Sequence, residues 1–191
     1  TAFKNRGSDT SFAAAYFPDV TVTDPDTGGL VSLAPSVVVL GAYSLNDKIG
    51  HPWFAPAGFT RGALNTVEMT NVSLNRENLD DLYDADINPL AEYPGSGLSV
   101  WGQKTLLAGA SALDRVNVRR LLIDVRRKVR GVANQLLFEP NRGETLLKFN
   151  ALVNPILQNI QDQQGLDRFK VIIDTTTTTQ ADVENNTLRG K

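Results

Sequence analysis

The feature of this sequence that most constrains its fold is a regular spacing of apolar residues in the second half. The intervals are four, three, four, three and four positions, through Val118, Leu122, Val125, Val129, Val132 and Leu136. Such intervals place all six side chains on one face of an α-helix, so we predict a long helix buried along this face. Asn117 is a suitable N-cap, and Glu139-Pro140-Asn141 is expected to end the helix. Because burial of each side chain contributes about 1.5–3 kcal/mol, this helix is predicted to be a main part of the core.

A second helix is predicted to follow, from Glu144 to Gln163, with Gly165 as its C-terminal stop. Its apolar face consists of Leu146, Phe149, Val153, Ile156, Leu157 and Ile160. Pro155 lies inside this pattern, where it removes one backbone hydrogen bond and crowds the preceding turn. We therefore expect a kink at this point of the helix.

Four segments have the composition of β-strands. Residues 16–23 are rich in β-formers, and residues 98–101 are predicted to form a brief strand. Residues 64–74 alternate weakly and could form a strand or a hairpin. Residues 169–174 are apolar enough to form a central strand. The threonine run at 175–179 is expected to be an exposed loop or a strand edge.

The remaining segments are predicted from their prolines, glycines and apolar runs. Residues 37–46 favour either a helix that ends near Gly50 or a buried strand. A short helix is predicted over residues 78–83. Loops are predicted over residues 51–62 and 88–97, where proline and glycine interrupt any regular pattern.

The composition argues against several classes of function. Hydrophobic residues make up 41% of the 191 residues, which is enough for a core, so disorder is not expected. A net charge of −2 argues against a protein dominated by nucleic-acid binding. The sequence has no apolar run of membrane-spanning length and no signal-peptide pattern. The absence of cysteine and the single histidine disfavour disulfides and a zinc or iron centre.

One segment nearly matches a nucleotide-binding motif. Residues 97–105 read GLSVWGQKT, whereas the phosphate-binding loop requires lysine directly after its second glycine. Here Gln103 separates Gly102 from Lys104, which moves the lysine out of register with the backbone amides that would hold a phosphate. We therefore do not expect this segment to bind a nucleotide.

Two other polar features have only a partial likeness to catalytic or metal sites. His51 stands beside an aromatic-proline loop without a recognisable nucleophile motif, so we favour a packing or hydrogen-bonding role for it. An acidic cluster lacks the central glycine and final glutamate of an EF-hand. Its members are Asp80, Asp81, Asp84 and Asp86. A solvated acidic face, or one that meets a basic neighbour, is the favoured interpretation.

Five short strings of distinctive composition occur in order along the chain. They are Pro52-Trp53-Phe54-Ala55-Pro56-Ala57-Gly58, Leu82-Tyr83 with Ile87-Asn88-Pro89, Trp101-Gly102-Gln103-Lys104-Thr105, Asp114-Arg115-Val116-Asn117-Val118-Arg119-Arg120-Leu121, and Phe138-Glu139. The strings mix aromatic residues, prolines, glycines and arginines, and none has the residue types of an active site. In this order and at this spacing they resemble the C-terminal region of the sheath subunit of contractile phage tails. The resemblance runs from about Tyr16 to the last residue.

The resemblance implies a mixed α/β (α+β) fold, with a small central β-sheet flanked by helices. It implies a structural subunit rather than an enzyme, which polymerises around the tail tube and contracts to drive the tube through the host envelope. The implied partners are other copies of the chain, the tail tube protein, and the baseplate and tail terminator proteins. No nucleic acid, membrane or cofactor is implied. The implied location is the virion, with assembly in the host cytoplasm.

The domain organisation follows from the same resemblance. Residues 1–15 are expected to be a flexible lead-in, and residues 16–191 a single sheath core domain. The chain is expected to be a fragment that lacks terminal arms and outer domains, and so not to polymerise into proper sheath. The alternatives are a sheath subunit of a non-phage contractile injection or secretion system, and an α/β enzyme. The enzyme would have a deep pocket lined by Asp80, Asp84, His51 or Lys104.

The candidate interface residues are basic or aromatic. On the predicted long helix, one stripe beside the apolar face contains Arg115, Arg119, Arg126 and Arg130. Nearly opposite the core lie Arg120 and Arg127. These arginines are interpreted as a solvated face or as partners in ion pairs between subunits, with intramolecular pairing and nucleic-acid binding less favoured.

The loop at residues 52–58 is either a packed cap over the core or an interface anchor through Trp53 and Phe54. Prolines and aromatic rings suit both roles, because they bury a large area with little loss of conformational entropy. The motif positions that the resemblance singles out are Pro52, Trp53, Pro56, Gly58, Trp101, Gly102, Gln103, Lys104, Asp114, Arg115 and Asn117.

Overall fold

A computed structural model of the chain describes residues 7, 9–140, 142–174, 177–185, 187 and 189–190. The chain divides into two compact units inside a long helix. The first unit ends at Leu121, and the second begins at Leu122. The range predicted as one domain therefore spans both units.

The strands all lie in the first unit and form two three-stranded sheets. They are β1 (Ala15–Phe17), β2 (Val20–Thr23), β3 (Leu30–Leu33), β4 (Met69–Thr70), β5 (Ile87–Tyr93) and β6 (Gly97–Val100). In one sheet the order is β1-β5-β6, with β1 parallel and β6 antiparallel to the central β5. The other sheet is antiparallel in the order β3-β2-β4. The mixed α/β class is confirmed, with two small sheets in place of the single one predicted.

Two strand predictions were wrong because of how prolines were interpreted. Residues 16–23 form two strands in different sheets, since the chain leaves the first ladder at Pro18, which has no N–H to donate. Residues 88–97 were predicted as a loop, but β5 is a central strand. Pro89 is tolerated there because it stands at the end of the ladder with β1, opposite Phe17, and its carbonyl accepts a hydrogen bond from the Trp101 amide.

The other strand predictions were partly correct. The brief strand predicted at residues 98–101 is β6. Within residues 64–74, only Met69 and Thr70 form a strand. Residues 169–174 form no strand, although Ile173 is buried. An apolar run becomes a strand only where a neighbour completes its backbone hydrogen bonds, and no described residue pairs with this segment.

The helices are α1 (Pro35–Ile49), α2 (Gly58–Arg61), α3 (Arg76–Asp84), α4 (Val116–Gln135), α5 (Gly143–Asp162) and α6 (Gln180–Glu184). The helical alternative for α1 is confirmed, with proline in its first turn and Gly50 at its C-cap. The four-residue α2 lies inside the predicted loop at residues 51–62. The short helix predicted at residues 78–83 is α3, which begins with a capping box between Asn75 and Asn78.

The core of the first unit joins both sheets to α1. Its fully buried centre includes Val20 from β2, Val39 from α1, and Leu90 and Val100 from β5 and β6. The apolar run around Val39 forms a helix, and residues of both sheets pack against the side of α1 that carries Val39. The core also contacts Ala57 of the loop at residues 52–58.

In the second unit the two long helices have nearly the predicted bounds. α4 begins at Val116, so Asn117 lies in its first turn, and the predicted N-cap is wrong. The predicted apolar faces are buried at Val132, Val153, Leu157 and Ile160, whereas Leu122 is 42% exposed. Pro155 lies inside α5, and its kink stays a prediction. α5 ends at Asp162, but the left-handed residue that follows is Gln164, with a φ of 62°, and not the predicted Gly165, whose amide donates to the Ile160 carbonyl.

The region after α5 differs from its prediction in one more respect. Thr178 is buried, and the Thr179 hydroxyl caps α6 by accepting from the Asp182 amide. The exposed loop or strand edge predicted for the threonine run is therefore wrong at Thr178, whereas Thr179 is exposed and precedes the helix. Thr175 and Thr176 lie outside the described residues.

The end of the predicted lead-in makes specific contacts in the first unit. The Thr10 amide donates to the Leu106 carbonyl at 3.1 Å, and Ser11 is buried. Residues 1–6 and 8 lie outside the described part of the chain.

Candidate functional site

One buried side chain joins two of the sequence strings to strand β1. Asn88 on β5 donates from Nδ2 to the carbonyls of Ala15 at 3.0 Å and Lys104 at 2.8 Å. Its Oδ1 accepts from the Lys104 amide at 2.6 Å. A Cβ atom added to Gly102 would lie 2.8 Å from this Oδ1, which explains why glycine stands there. The Trp101–Thr105 string is thus fixed onto the central strand.

A second set of bonds fixes the same string to the start of α4. The Thr105 amide donates to the Asp114 carbonyl at 2.8 Å, and the Val116 amide donates to the Gln103 carbonyl at 2.8 Å. The Thr105 hydroxyl donates to the carbonyl of Leu113 at 2.8 Å. Side chain and backbone therefore both tie the third string to the fourth.

Lys104 and Arg115 both contact Tyr83, which belongs to the second string. Lys104 Nζ donates to the Tyr83 carbonyl at 2.7 Å, lies 3.3 Å from an Asp86 carboxylate oxygen, and stands 3.5 Å from the centre of the Tyr83 ring. Arg115 donates to the Tyr83 hydroxyl at 3.4 Å, and this bond lowers the pKa of that hydroxyl. Lys104 is thus held by groups of the first unit itself.

The aromatic-proline loop is packed against the same region. Trp53 is 5% exposed and stacks on His51 at a ring distance of 4.6 Å, and Pro56 is fully buried. Asn117 Nδ2 donates to the Trp53 carbonyl at 3.2 Å, so Asn117 binds this loop instead of capping α4. Phe54 is only partly buried, with the Arg61 guanidinium 5.2 Å from its ring centre.

Gly58 and Pro52 stand at the two ends of this loop. Gly58 has a φ of 82°, in the left-handed region that favours glycine. Pro52 is partly buried. Together with the stacked rings, these positions give the loop the geometry of a packed cap, the first of its two predicted roles.

The aromatic rings of Tyr83, Tyr93 and Trp101 border a cavity of about 600 Å³ in the first unit. Trp101 and Tyr93 are 4.5 Å apart between ring centres, and Phe59 lies 5.0 Å from Trp101. Trp101 and Tyr93 line the cavity together with residues of α3 that include Arg76 and Asp80. Of the four residues that the enzyme alternative names as possible pocket residues, Asp80 lines this cavity, whereas His51, Asp84 and Lys104 do not.

Four of the six candidate arginines have partners inside the chain. Arg119 donates to the buried Ser11 hydroxyl and lies 4.1 Å from the centre of the Phe12 ring. Arg120 pairs with Asp47 of α1 at 2.6 Å, so it does not point away from the core as the helical wheel predicts. Arg127 pairs with Asp124 one turn earlier at 2.7 Å, and Arg115 pairs with Asp114 at 3.3 Å.

The other two candidate arginines, Arg126 and Arg130, are exposed on α4. No ion-pair partner for either is found among the described residues. They are therefore the arginines of the predicted stripe that remain available to a neighbouring molecule.

Sequence reasoning missed a pair of partly buried tyrosines near Arg120. The hydroxyls of Tyr16 on β1 and Tyr43 on α1 are 2.5 Å apart. Burial raises the pKa of both, and the Arg120 guanidinium, 4.8 Å from the centre of the Tyr43 ring, opposes this effect. The two residues are 27 positions apart, so no local pattern in the sequence could indicate the contact.

In the described ranges, no three His, Asp or Glu side chains are grouped so that they could hold a metal ion. Among the helices of the described residues, none combines the length and the apolar character needed to cross a membrane.

Comparisons of sequence identify relatives, although no family model matches the chain. The chain is 37% identical over 161 residues to the tail sheath protein of Vibrio phage KVP40, which covers 84% of the chain and 24% of the relative. It is 29% identical over 161 residues to the tail sheath protein of Enterobacteria phage T4, with the same two shares. The chain thus spans about a quarter of the length of the curated relatives that it matches.

Comparisons of structure identify the same kind of protein. A chain of the anti-feeding prophage baseplate superposes with a TM-score of 0.85 and 25% identity, over 96% of this chain and 51% of that one. A chain of the PVC sheath complex, an extracellular contractile injection system in its contracted state, superposes with a TM-score of 0.84 and 27% identity. That match covers 98% of this chain and 53% of the other. The resemblance drawn from the five strings is thus confirmed in sequence and in fold: the chain is homologous to part of the tail sheath proteins of phages.

Proposed function

We propose that this chain is the core region of a contractile tail sheath subunit, which polymerises around the tail tube and contracts to drive the tube through the host envelope. The observation that carries the proposal is the similarity to phage tail sheath proteins over 84% of the chain, together with a fold shared with the contracted PVC sheath. In this proposal residues 16–191 act as one sheath core. The free energy of contraction comes from better contacts between subunits, as in a switch between two packings.

The partners and location follow from the same proposal. The subunit binds other copies of itself, the tail tube protein, and the baseplate and tail terminator proteins. It is made in the host cytoplasm and resides in the tail of the virion. No catalytic step is part of this proposal. The strings that mark the chain bind one another: Asn88 binds Lys104, Thr105 binds Asp114, and Asn117 binds Trp53.

Within the candidate interface, we assign direct roles to exposed residues and indirect roles to residues with partners inside the chain. Arg126 and Arg130 are exposed on α4, and we assign them to ion pairs with a neighbouring molecule. The partly buried Phe54 is the aromatic anchor of the cap loop. The buried Trp53 and the internally paired Arg115, Arg119, Arg120 and Arg127 support these surfaces from within the chain.

Electron microscopy of the full-length protein, with residues 1–191 alone as the comparison, tests the function. The full-length protein is expected to form long hollow tubes, and residues 1–191 alone are expected not to. Folded full-length protein that forms no tubes, with or without the baseplate and tail tube, would overturn the proposal.

A double charge reversal, Arg126→Glu with Arg130→Glu, tests the interface. Tube formation is expected to require a roughly tenfold higher protein concentration, while thermal unfolding stays unchanged because both side chains are exposed. Arg168→Glu is the matched control, since Arg168 is also exposed and lies outside α4. Tubes that form equally well from the double variant would remove these arginines from the interface.

A second candidate is a subunit of a non-phage contractile injection system. The similarity in fold to the anti-feeding prophage and PVC assemblies favours it, whereas the higher sequence identity, 37% against 25–27%, is to a phage protein. Micrographs of native particles distinguish the two candidates. Sheaths attached to DNA-filled heads support the phage candidate, and headless particles support the injection system.

A further inference from the structure

The turn between α4 and α5 presents an apolar tip to solvent. Phe138 is fully exposed, and the preceding Leu137 is 61% exposed. Both residues belong to the second unit, which buries other apolar side chains such as Val153 and Ile160. A large aromatic side chain without apolar cover, beside a second exposed apolar residue, is typical of a binding surface.

The backbone at this tip is also unusual. Phe138 has a φ of 71°, in the left-handed region that side chains with a Cβ atom rarely adopt and that favours glycine after a helix. The fully exposed phenyl ring gains no packing within the chain that would offset this strain. Folding alone therefore does not account for phenylalanine here, whereas a role in recognition does.

The first unit contains a cavity that suits such a tip. The cavity of about 600 Å³ lies beside α3 and is walled by Tyr83, Pro89, Tyr93 and Trp101. Pro89 is buried, and the three aromatic rings lie partly exposed around it. The volume is large enough for a phenyl group with a neighbouring leucine, and the aromatic walls favour edge or offset contacts with a phenyl ring.

The charges around the tip and the cavity are complementary. Glu139 follows Phe138 directly, and Lys148 lies 3.5 Å from its carboxylate. The cavity is lined by Arg76, which can face Glu139, and by Asp80 and Glu92, which can face Lys148. Opposite charges at the rim of an apolar contact set its orientation and disfavour other partners.

We propose that the Leu137-Phe138 tip of one copy inserts into the Tyr83-Tyr93-Trp101 cavity of a second copy of this chain. This inference rests on the proposed function. Because tip and cavity are different surfaces, each copy uses one to bind a neighbour on one side and the other to bind a neighbour on the other side. Contacts of this head-to-tail kind generate rings or open helical arrays, as a sheath requires.

Disulfide cross-linking between copies tests the contact, since this chain contains no cysteine. Full-length protein with Leu137→Cys is mixed with full-length protein with Asp80→Cys, assembled, oxidised and run on a non-reducing gel. Leu137 is next to the tip residue and Asp80 lines the cavity, so about tenfold more cross-linked dimer is expected than with Asp81→Cys. Asp81 is the matched control because it is an exposed neighbour on the same helix that does not line the cavity.

The outcomes separate this contact from the proposed function. Tubes with the specific dimer support both. Tubes without it overturn the contact and leave the sheath function standing, including the case in which another segment shields Asp80→Cys from a thiol reagent. A specific dimer without tubes keeps the contact and overturns the function, and the absence of both overturns both.

Phe138→Gly tests the tip without endangering the fold, because glycine prefers the φ of this position. The variant is expected to remain folded and to raise the concentration needed for assembly by roughly tenfold to a hundredfold, as loss of a buried aromatic anchor does. Leu147→Ala, which removes another exposed apolar side chain of the second unit, is expected to assemble normally. Unchanged assembly of Phe138→Gly would overturn the proposal.

Discussion

In the first unit, Asn88 and Thr105 bond through their side chains to backbone groups of distant segments, whereas in the second unit long helices bury apolar faces that include Val153 and Ile160. The first arrangement needs a particular donor and acceptor at each position. The second needs only an apolar side chain of suitable size at each turn. Four of the five sequence strings accordingly lie in the first unit, while the second is marked mainly by its helical periodicity.

The largest change in the free energy of unfolding is expected at Asn88. Asn88→Ala leaves the Ala15 and Lys104 carbonyls and the Lys104 amide without their partner, and we expect a loss of about 3–5 kcal/mol in the free energy of unfolding. Amide hydrogen exchange measures this free energy for each unit separately. Asn65→Ala, at an exposed asparagine in the same unit, is the control and is expected to change it by less than about 0.5 kcal/mol. A loss of only that size at Asn88 would mean that the strings are not held by this side chain.

In the second unit, the stability is expected to depend on the size of the buried side chains. Ile160 is fully buried on α5, so Ile160→Ala is expected to lower the free energy of unfolding by about 2–4 kcal/mol and Ile160→Val by only about 1 kcal/mol. Hydrogen exchange of the α5 amides measures both values. Equal losses for the two variants would show that side-chain identity, and not volume, governs this unit as it governs the first.

The hydrogen-bonded pair of partly buried tyrosines gives the first unit a pH dependence on the alkaline side. Burial raises the pKa of Tyr16 and Tyr43 above the value of about 10 found in unfolded chains, so the folded state holds these protons more tightly. The resulting stability is fully present below pH 10 and falls as pH rises above it, by up to about 1.4 kcal/mol per pH unit for each proton. Urea unfolding between pH 9 and about 11 measures the slope. The double variant Tyr16→Phe with Tyr43→Phe is expected to flatten it, and an unchanged slope would assign the dependence to other groups.

Replacing Phe138 with glycine is expected to produce a small gain in stability. Phe138→Gly relieves the left-handed backbone at a position where the phenyl ring is fully exposed, so we expect the second unit to become more stable by about 0.5–1 kcal/mol. Thermal unfolding of the unassembled protein measures the change. Leu137→Gly is the control, because no left-handed φ is found there, and it is expected to bring no gain. A loss of stability in Phe138→Gly would mean that the phenyl ring supports the fold.

The sequence predicts those elements whose cause is local. The helices α4 and α5 follow from apolar periodicity, whereas the left-handed residue after α5 is Gln164 and not the glycine that the sequence indicates. Strand β5 could not be predicted, because Asn88 and Pro89 have the character of turn residues until their distant partners are known. The same holds for the segment at residues 169–174, which has the composition of a strand but lacks a neighbouring ladder among the described residues.

The candidate site also has parts that the sequence predicts and parts that it does not. The residue types of the five strings indicate that these strings make specific contacts. The helical wheel could not predict that Arg120 binds Asp47, because that contact spans 73 residues. Nor could it predict that Arg119 binds Ser11, across 108 residues. Contacts of such separation depend on the tertiary fold, and a pattern within one helix does not contain them.

The bonds of Asn88 also have a consequence for the order in which the protein folds during synthesis. Ala15 leaves the ribosome 73 residues before Asn88, and Lys104 follows 16 residues later, so β1 must wait for most of the first unit before its partner exists. Contacts of such long range slow folding, whereas two helices that follow one another can form and pair soon after they are made. The first unit therefore has the longer interval in which its nascent strands are exposed, and it is the unit that stands to gain more from a chaperone.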